Sequence, residues 1–384
     1  LAQDHEVSVA CLADGSGDLA NADSLRPLVH AVEAVPLSVP RARLRALTAL
    51  MSSGRPLTVA YFDEPELRNR VRHRIKSGKT DAVVVFSSGV AQFVEEFADL
   101  PRIIQFADLD SQKWRLYAEV TRPPKSWVYR TEANRMLSYE RHLAATFTRS
   151  LVCSPRERDD FRKLIPEASI ECLPNGVDLT MYQPVPAINK LPNSLIFTGV
   201  MNYRPNVDGM VWFCRQILPH IRLEVPNVTL TICGSSPDKS VQALAHEPGV
   251  TVTGAVPDVR PYMAKSAVAV VPLRIARGIQ NKLLEAMAMG LPSVATKAVL
   301  DGIDAEAGRD LLVADEPAEF AAAVVRLLRD RRLRDEIGNA ARAVVETNYR
   351  WERTLNRLNR LIDETAGTSS VGKNTTAYKE LIGV

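Results

Sequence analysis

The residues best suited to chemistry stand in VPLRIARGIQNKLLEAMAMGLPSVAT (271–296). Lys282 and Glu285 are three apart, so on a helix they share one face. Gly278 ahead of them allows a close backbone approach, and the first-turn N–H groups of the following helix form a natural phosphate site. A cation there can hold a diphosphate, while a carboxylate one turn deeper accepts two hydrogen bonds from a ribose diol. The same spacing also describes an ordinary surface ion pair. A second junction is FTGVMNYRPN (197–206), where Gly199 ends a strand, Pro205 opens a helix and Arg204 offers another cation.

A third cluster follows the strand in RIIQFADLDSQKW, which carries Asp108, Asp110, Ser111 and Lys113. Two acids at i and i+2 either face a reacting centre or cap the helix behind them, and Asp110 is a good N-cap. Glu132, Glu140 and Arg141, on a helical stretch over 126–145, read as solvated pairs. No metal site is expected. The six histidines show no ligand spacing, and the five cysteines are scattered without a Cys-x-x-Cys. Reduced thiols of this kind fit a cytoplasmic protein. Near the start, Gly15, Gly17 and Ala20 satisfy G-x-G-x-x-[GA]. Asn21, Asp23 and Pro27 leave little room for a full crossover helix, and only Glu33 approaches the ribose-binding position, so nicotinamide binding is not expected.

These residues need a frame. Short apolar, often β-branched runs at 81–86, 102–106, 150–154, 194–199, 228–234, 250–254, 267–273 and 292–296 alternate with amphipathic stretches at 126–145, 206–224, 280–289, 317–329, 331–346 and 351–363. That alternation predicts an α/β protein with parallel sheets covered on both faces. Four prolines in 174–193 mark a boundary. The expected division is a first domain over 1–180, a linker over 181–193, a second domain over 194–347, a last long helix over 348–364 and a polar tail over 365–384, whose Asn374 sequon carries no weight without a secretory signal. The opening LAQDHEVSVACLA reads as the end of a helix and then a strand, so a first strand, loop and helix are expected upstream of Leu1.

At 384 residues, 46% hydrophobic and 24% charged, the composition is globular and predicts two domains. Lys plus Arg is 48 against 45 acids, and a net charge of +3 argues against a nucleic-acid binder. Residues 41–80 hold ten Arg/Lys and three acids, a local net of +7. Their mixture with apolar residues at helical spacing describes either a solvated face or a surface resting on anionic lipid at the inner face of the plasma membrane.

The segment 271–296 resembles the donor-site signature of GT-B glycosyltransferases, family 4 in particular: Pro, a Gly-containing loop, then LEAMA-x-G-x-P. PNGVD (174–178), FTG (197–199) and GAVPDVRPYMAKSAVAVVP (254–272) continue the match, and WERTLNRLNRLI is similar to the helix that crosses back onto the first domain. MNYRPN, GIQNKLLEAMAMG and FADLDSQKW look most like the sugar transferases of PEP-CTERM/exosortase exopolysaccharide clusters. The resemblance implies two Rossmann-like domains facing across a cleft. It implies a retaining hexosyl transfer from a nucleotide-sugar donor to a saccharide or lipid-linked acceptor, with no metal or other cofactor. It places Gly199, Arg204, Arg277, Gly278, Ile279, Asn281, Lys282 and Glu285 at the donor, and Asp108, Asp110 and Lys282 at the reacting centre. The chain departs from the family at Arg277, where family 4 commonly has the first of two glutamates eight apart, and in lacking the usual Arg and Lys of the Gly-Arg…Lys-Gly loop. A sugar-nucleotide epimerase of the same fold and a non-catalytic nucleotide-binding scaffold are the alternatives.

Overall fold

The computed structural model describes residues 1–52, 54–185 and 191–367. Part of the expected linker and nearly all of the expected tail, Asn374 included, lie outside the described residues. By contacts the chain forms two units. The first comprises Leu1–Leu151, Leu164–Glu171 and the described residues from Leu355 to Gly367; the second comprises Val152–Lys163 and Cys172–Thr354.

In the first unit, strands β1 (Ser8–Ala13) and β2 (Ala31–Pro36) form a two-stranded parallel pair. Strands β3 (Val83–Phe86), β4 (Arg102–Gln105), β5 (Arg149–Val152) and β6 (Ile170–Cys172) make a separate sheet in sequential order. The helix Ser16–Ser24 connects β1 to β2, so the Gly15–Ala20 segment does carry a crossover, although one of only nine residues.

The second unit is built on six parallel strands: β7 (Ser194–Thr198), β8 (Thr229–Cys233), β9 (Val250–Gly254), β10 (Val268–Val271), β11 (Ser293–Ala295) and β12 (Leu312–Val313). Their order is β12-β11-β10-β7-β8-β9. Within the unit, β7 is first and β10 fourth, which gives the doubly wound order 3-2-1-4-5-6. β7 and β10 are buried at every residue, as strands covered on both faces must be.

One expected helix is interrupted. The stretch 206–224 forms Arg204–Trp212, a π-helical turn over Phe213–Ile217, and then Leu218–Glu224. Pro219 accounts for the break. It has no N–H to continue the ladder, and its ring would meet the carbonyl four residues back.

Candidate functional site

In the order 3-2-1-4-5-6 the connections leaving the first and fourth strands run to opposite sides of the sheet, and ligands bind beyond the carboxyl ends of those strands. Gly199 directly follows β7, at φ 153°. The loop after β10 contains Gly278, at φ 59°, whose carbonyl oxygen would lie 2.2 Å from a Cβ at Gly302. The helix Asn281–Ala288 follows, and no side chain caps its start. Leu283, Leu284, Ala286, Met287 and Ala288 bury one face of it, leaving Lys282 and Glu285 on the half-buried margin.

Lys282 turns toward the β7 loop. Its Nζ donates to Asn206 Oδ1 at 3.1 Å and to Gln280 Oε1 at 3.4 Å, and stands 5.5 Å from the Phe197 ring centroid. Burial lowers its pKa to about 8, against the opposing pull of Glu285. Burial pushes the Glu285 carboxyl up, while the Lys282 charge and a hydrogen bond from the Tyr182 hydroxyl hold it back. The same bond lies behind Tyr182, which burial first and then the Glu285 charge raise to about 12. Arg342 secures this corner by donating to the carbonyls of Tyr182 and Ala288. Here a half-buried cation and a carboxylate one turn apart border a helix start, the donor and acceptor set that a diphosphate and a ribose diol require.

The remaining expected donor residues divide. Arg204 is the first residue of its helix and half-buried. Arg277, its side chain 16% exposed, pairs with Asp160 at 2.8 Å. Ile279 is a core side chain, and Asn281 accepts from Asn175 at 3.2 Å. Asn206, Tyr182, Gln280 and Asp160 had no role in the sequence reading. Asn206 stands inside MNYRPN, so motif membership was its only signal, and Tyr182, four residues past PNGVD, had none.

In the first unit Asp110 is the first residue of the helix Asp110–Glu119, and Leu109 occupies the N-cap position. Asp110 therefore does not cap the helix. Its carboxylate accepts from Ser88 Oγ at 2.6 Å and pairs with Lys113. Asp108, half-buried, lies just beyond β4. Glu132 and Glu140 correct a second expectation, because both are buried rather than solvated. Glu132 accepts from the N–H groups of Leu57 and Thr58 at 2.6 and 2.8 Å, and Glu140 from that of Ser111 at 3.0 Å. Helix starts carry unpaired N–H groups, and from distant segments Glu132 satisfies two of them and Glu140 one.

The basic stretch 41–80 also divides. On the helix Pro65–Lys76, Arg68 pairs with Asp63, Arg70 with Glu33 and Glu66, and Arg72 with Glu96. The helix Val39–Ser52 contains no acid. It exposes Arg41 and Arg43 beside Leu44, Leu47 and Met51, which are 62%, 54% and 83% exposed. Among the described residues no helix is long and apolar enough to cross a membrane.

Residues 192–330, which contain Asn206, Gln280, Lys282 and Glu285, match the family model described as glycosyl transferases group 1. The second unit carries a group 1 glycosyltransferase domain. The chain is 29% identical over 212 residues to a GDP-mannose-dependent alpha-(1-6)-phosphatidylinositol monomannoside mannosyltransferase of Mycobacterium tuberculosis, an alignment covering 49% of this chain and 54% of that protein. It thus spans about half the length of the curated relatives it matches. Among solved structures, sucrose-phosphate synthase from Thermosynechococcus elongatus superposes with TM-score 0.65 at 17% identity, over 79% of this chain and 78% of that one. Anabaena Alr3699/HepE, solved with UDP and glucose, gives TM-score 0.64 at 13% identity, over 93% and 91%. The fold that these glycosyltransferase structures share with the chain is GT-B, α/β with parallel sheets in two domains.

Proposed function

We propose that the chain is a hexosyltransferase that moves a sugar from a nucleotide-sugar donor, held by the group 1 domain, to a lipid-linked saccharide in bacterial exopolysaccharide assembly. The observation that carries this reading is the placing of Lys282 and Glu285 beyond β7 and β10, at the point where the strand order reverses. Lys282 and the N–H groups at the start of the helix Asn281–Ala288 stabilise the charge that grows on the diphosphate as the glycosidic bond loosens. Glu285 accepts from the ribose hydroxyls and positions the donor. The leaving phosphate takes the acceptor's proton on the same face, so the sugar is transferred with retention. Asp108 is the residue assigned to the acceptor, and Asp110, committed to Ser88 and Lys113, shapes the loop. The exposed face of the helix Val39–Ser52 rests on anionic lipid, where such an acceptor is presented. The relative's GDP-mannose donor and phosphatidylinositol-based acceptor, as its name gives them, support both halves of the reading.

A screen of UDP-, GDP- and dTDP-sugars with and without an acceptor, read by NMR and repeated with a chelator, tests the proposal. Transfer to the acceptor with retained configuration is the expected result, whereas an altered sugar without acceptor identifies an epimerase. Glu285→Ala should weaken nucleotide binding at least about tenfold, the loss of two charge-assisted hydrogen bonds. Lys282→Ala should lower turnover more than affinity. Near-normal kinetics in both variants rejects the site.

A further inference from the structure

The ammonium of Lys282 is held from outside its own helix. Asn206, in the first turn of the helix Arg204–Trp212, is 2% exposed. Its Oδ1 accepts from Lys282 Nζ at 3.1 Å, while its Nδ2 donates to the Val200 carbonyl at 2.8 Å. Gly199 leaves room for this meeting, since a Cβ there would lie 2.8 Å from Asn206 Nδ2 and 3.2 Å from Lys282 Cε. One amide therefore ties the chain after β7 to the cation after β10.

We infer that Asn206 is a positioning residue of the nucleotide-diphosphate site, fixing the Lys282 ammonium against the β7 loop so that cation and loop present a single preformed cradle to the phosphates. This deepens the function proposed above and rests on its assignment of Lys282. A lysine stem loses much rotamer freedom when its ammonium is fixed. An acceptor that restrains the ammonium before the ligand arrives lowers the ordering cost of binding.

The arrangement has a chemical signature. The groups that face Lys282 are Glu285 on its own helix, the neutral Asn206 and Gln280, and the Phe197 ring. A neutral acceptor favours the charged ammonium, a carboxylate in its place favours it more, and an alkyl group does not favour it.

The test is calorimetric titration of the full chain with UDP and with GDP from about pH 6 to about pH 10, spanning the lysine's displaced range. Wild-type affinity should decline above about pH 8, where Lys282 loses its proton. Asn206→Asp, the same size as asparagine, should move that decline upward by about one unit, even though its added charge weakens binding overall. Asn206→Leu should move it downward and cost roughly tenfold at neutral pH. Lys282→Met is the reference and should remove the dependence. If Lys282→Met binds as wild type does, the site assignment itself fails. If it binds weakly while Asn206→Asp keeps the wild-type pH profile, Asn206 serves only the local fold and the inference is overturned. Should Asn206→Leu not fold, the aspartate variant decides alone.

Discussion

Glu140 shows how a single buried carboxyl sets a pH dependence. Burial, and after it the nearby Asp110 charge, raises its pKa to about 8, while the bonds from Ser111 and the Lys113 charge act the other way. The folded chain therefore keeps this proton up to about pH 8, whereas the unfolded chain releases it near 4.5. Between those values the folded state binds more protons. Stability from this group is full below the lower value and is lost as pH rises through the upper one, by up to about 1.4 kcal/mol per pH unit. Glu140→Gln keeps an acceptor for the Ser111 N–H but cannot ionise. Thermal melts across that window should show the variant losing less stability than wild type as pH rises. Parallel pH curves for the two proteins would mean that Glu140 is ionised throughout.

At the scale of elements, the site depends on how closely two strand ends approach. Gly234, just after β8, has φ 154°, and a Cβ there would lie 1.7 Å from the Gly199 carbonyl oxygen. Gly234→Ala must displace the backbone of the loop that carries Gly199. The expected cost is about 1–3 kcal/mol of stability, together with a loss of nucleotide affinity of about tenfold or more, because a site displaced by a fraction of an ångström loses its alignment. Gly308→Ala is the comparison. Gly308 also has a positive φ, 86°, but a Cβ there meets nothing within 4 Å. It should cost only about 1 kcal/mol of backbone strain and leave nucleotide binding untouched. Melting and titration of both variants separate conformational strain from loop displacement, and equal nucleotide affinity in the two would mean that the β7 and β8 loops are not coupled.

Over the whole molecule, the feature to test is the proposed lipid-facing surface of the first unit. Acids pair with Arg68, Arg70 and Arg72 of the helix Pro65–Lys76, whereas Arg41 and Arg43 of Val39–Ser52 are exposed together with Leu44, Leu47 and Met51. In vesicle sedimentation the chain should partition onto phosphatidylglycerol-containing vesicles, less so as salt rises, and little onto phosphatidylcholine alone. Arg41→Ala and Arg43→Ala should each weaken partitioning roughly fivefold, and Met51→Ser should weaken it without changing the salt dependence. Equal partitioning onto neutral and anionic vesicles rejects this face as a membrane surface.

The sequence by itself determined the alternation of strands and helices, because parallel strands buried on both faces must be written as continuous apolar runs, as β7 and β10 are. It also determined that Lys282 and Glu285 share a face, since three residues is nearly one helical turn and no packing can change that. Pairings between segments far apart in the chain had no such local signature. The tertiary structure alone brought Asn206 to Lys282 across 76 residues, turned Arg277 onto Asp160 across 117, and buried Glu132 against a helix start 75 residues away. Periodicity reports which side of an element faces the core. It does not report which distant polar group completes a hydrogen bond there, because that depends on strand order and on how closely the loops approach, and in this chain both are settled only when β10 takes its place beside β7.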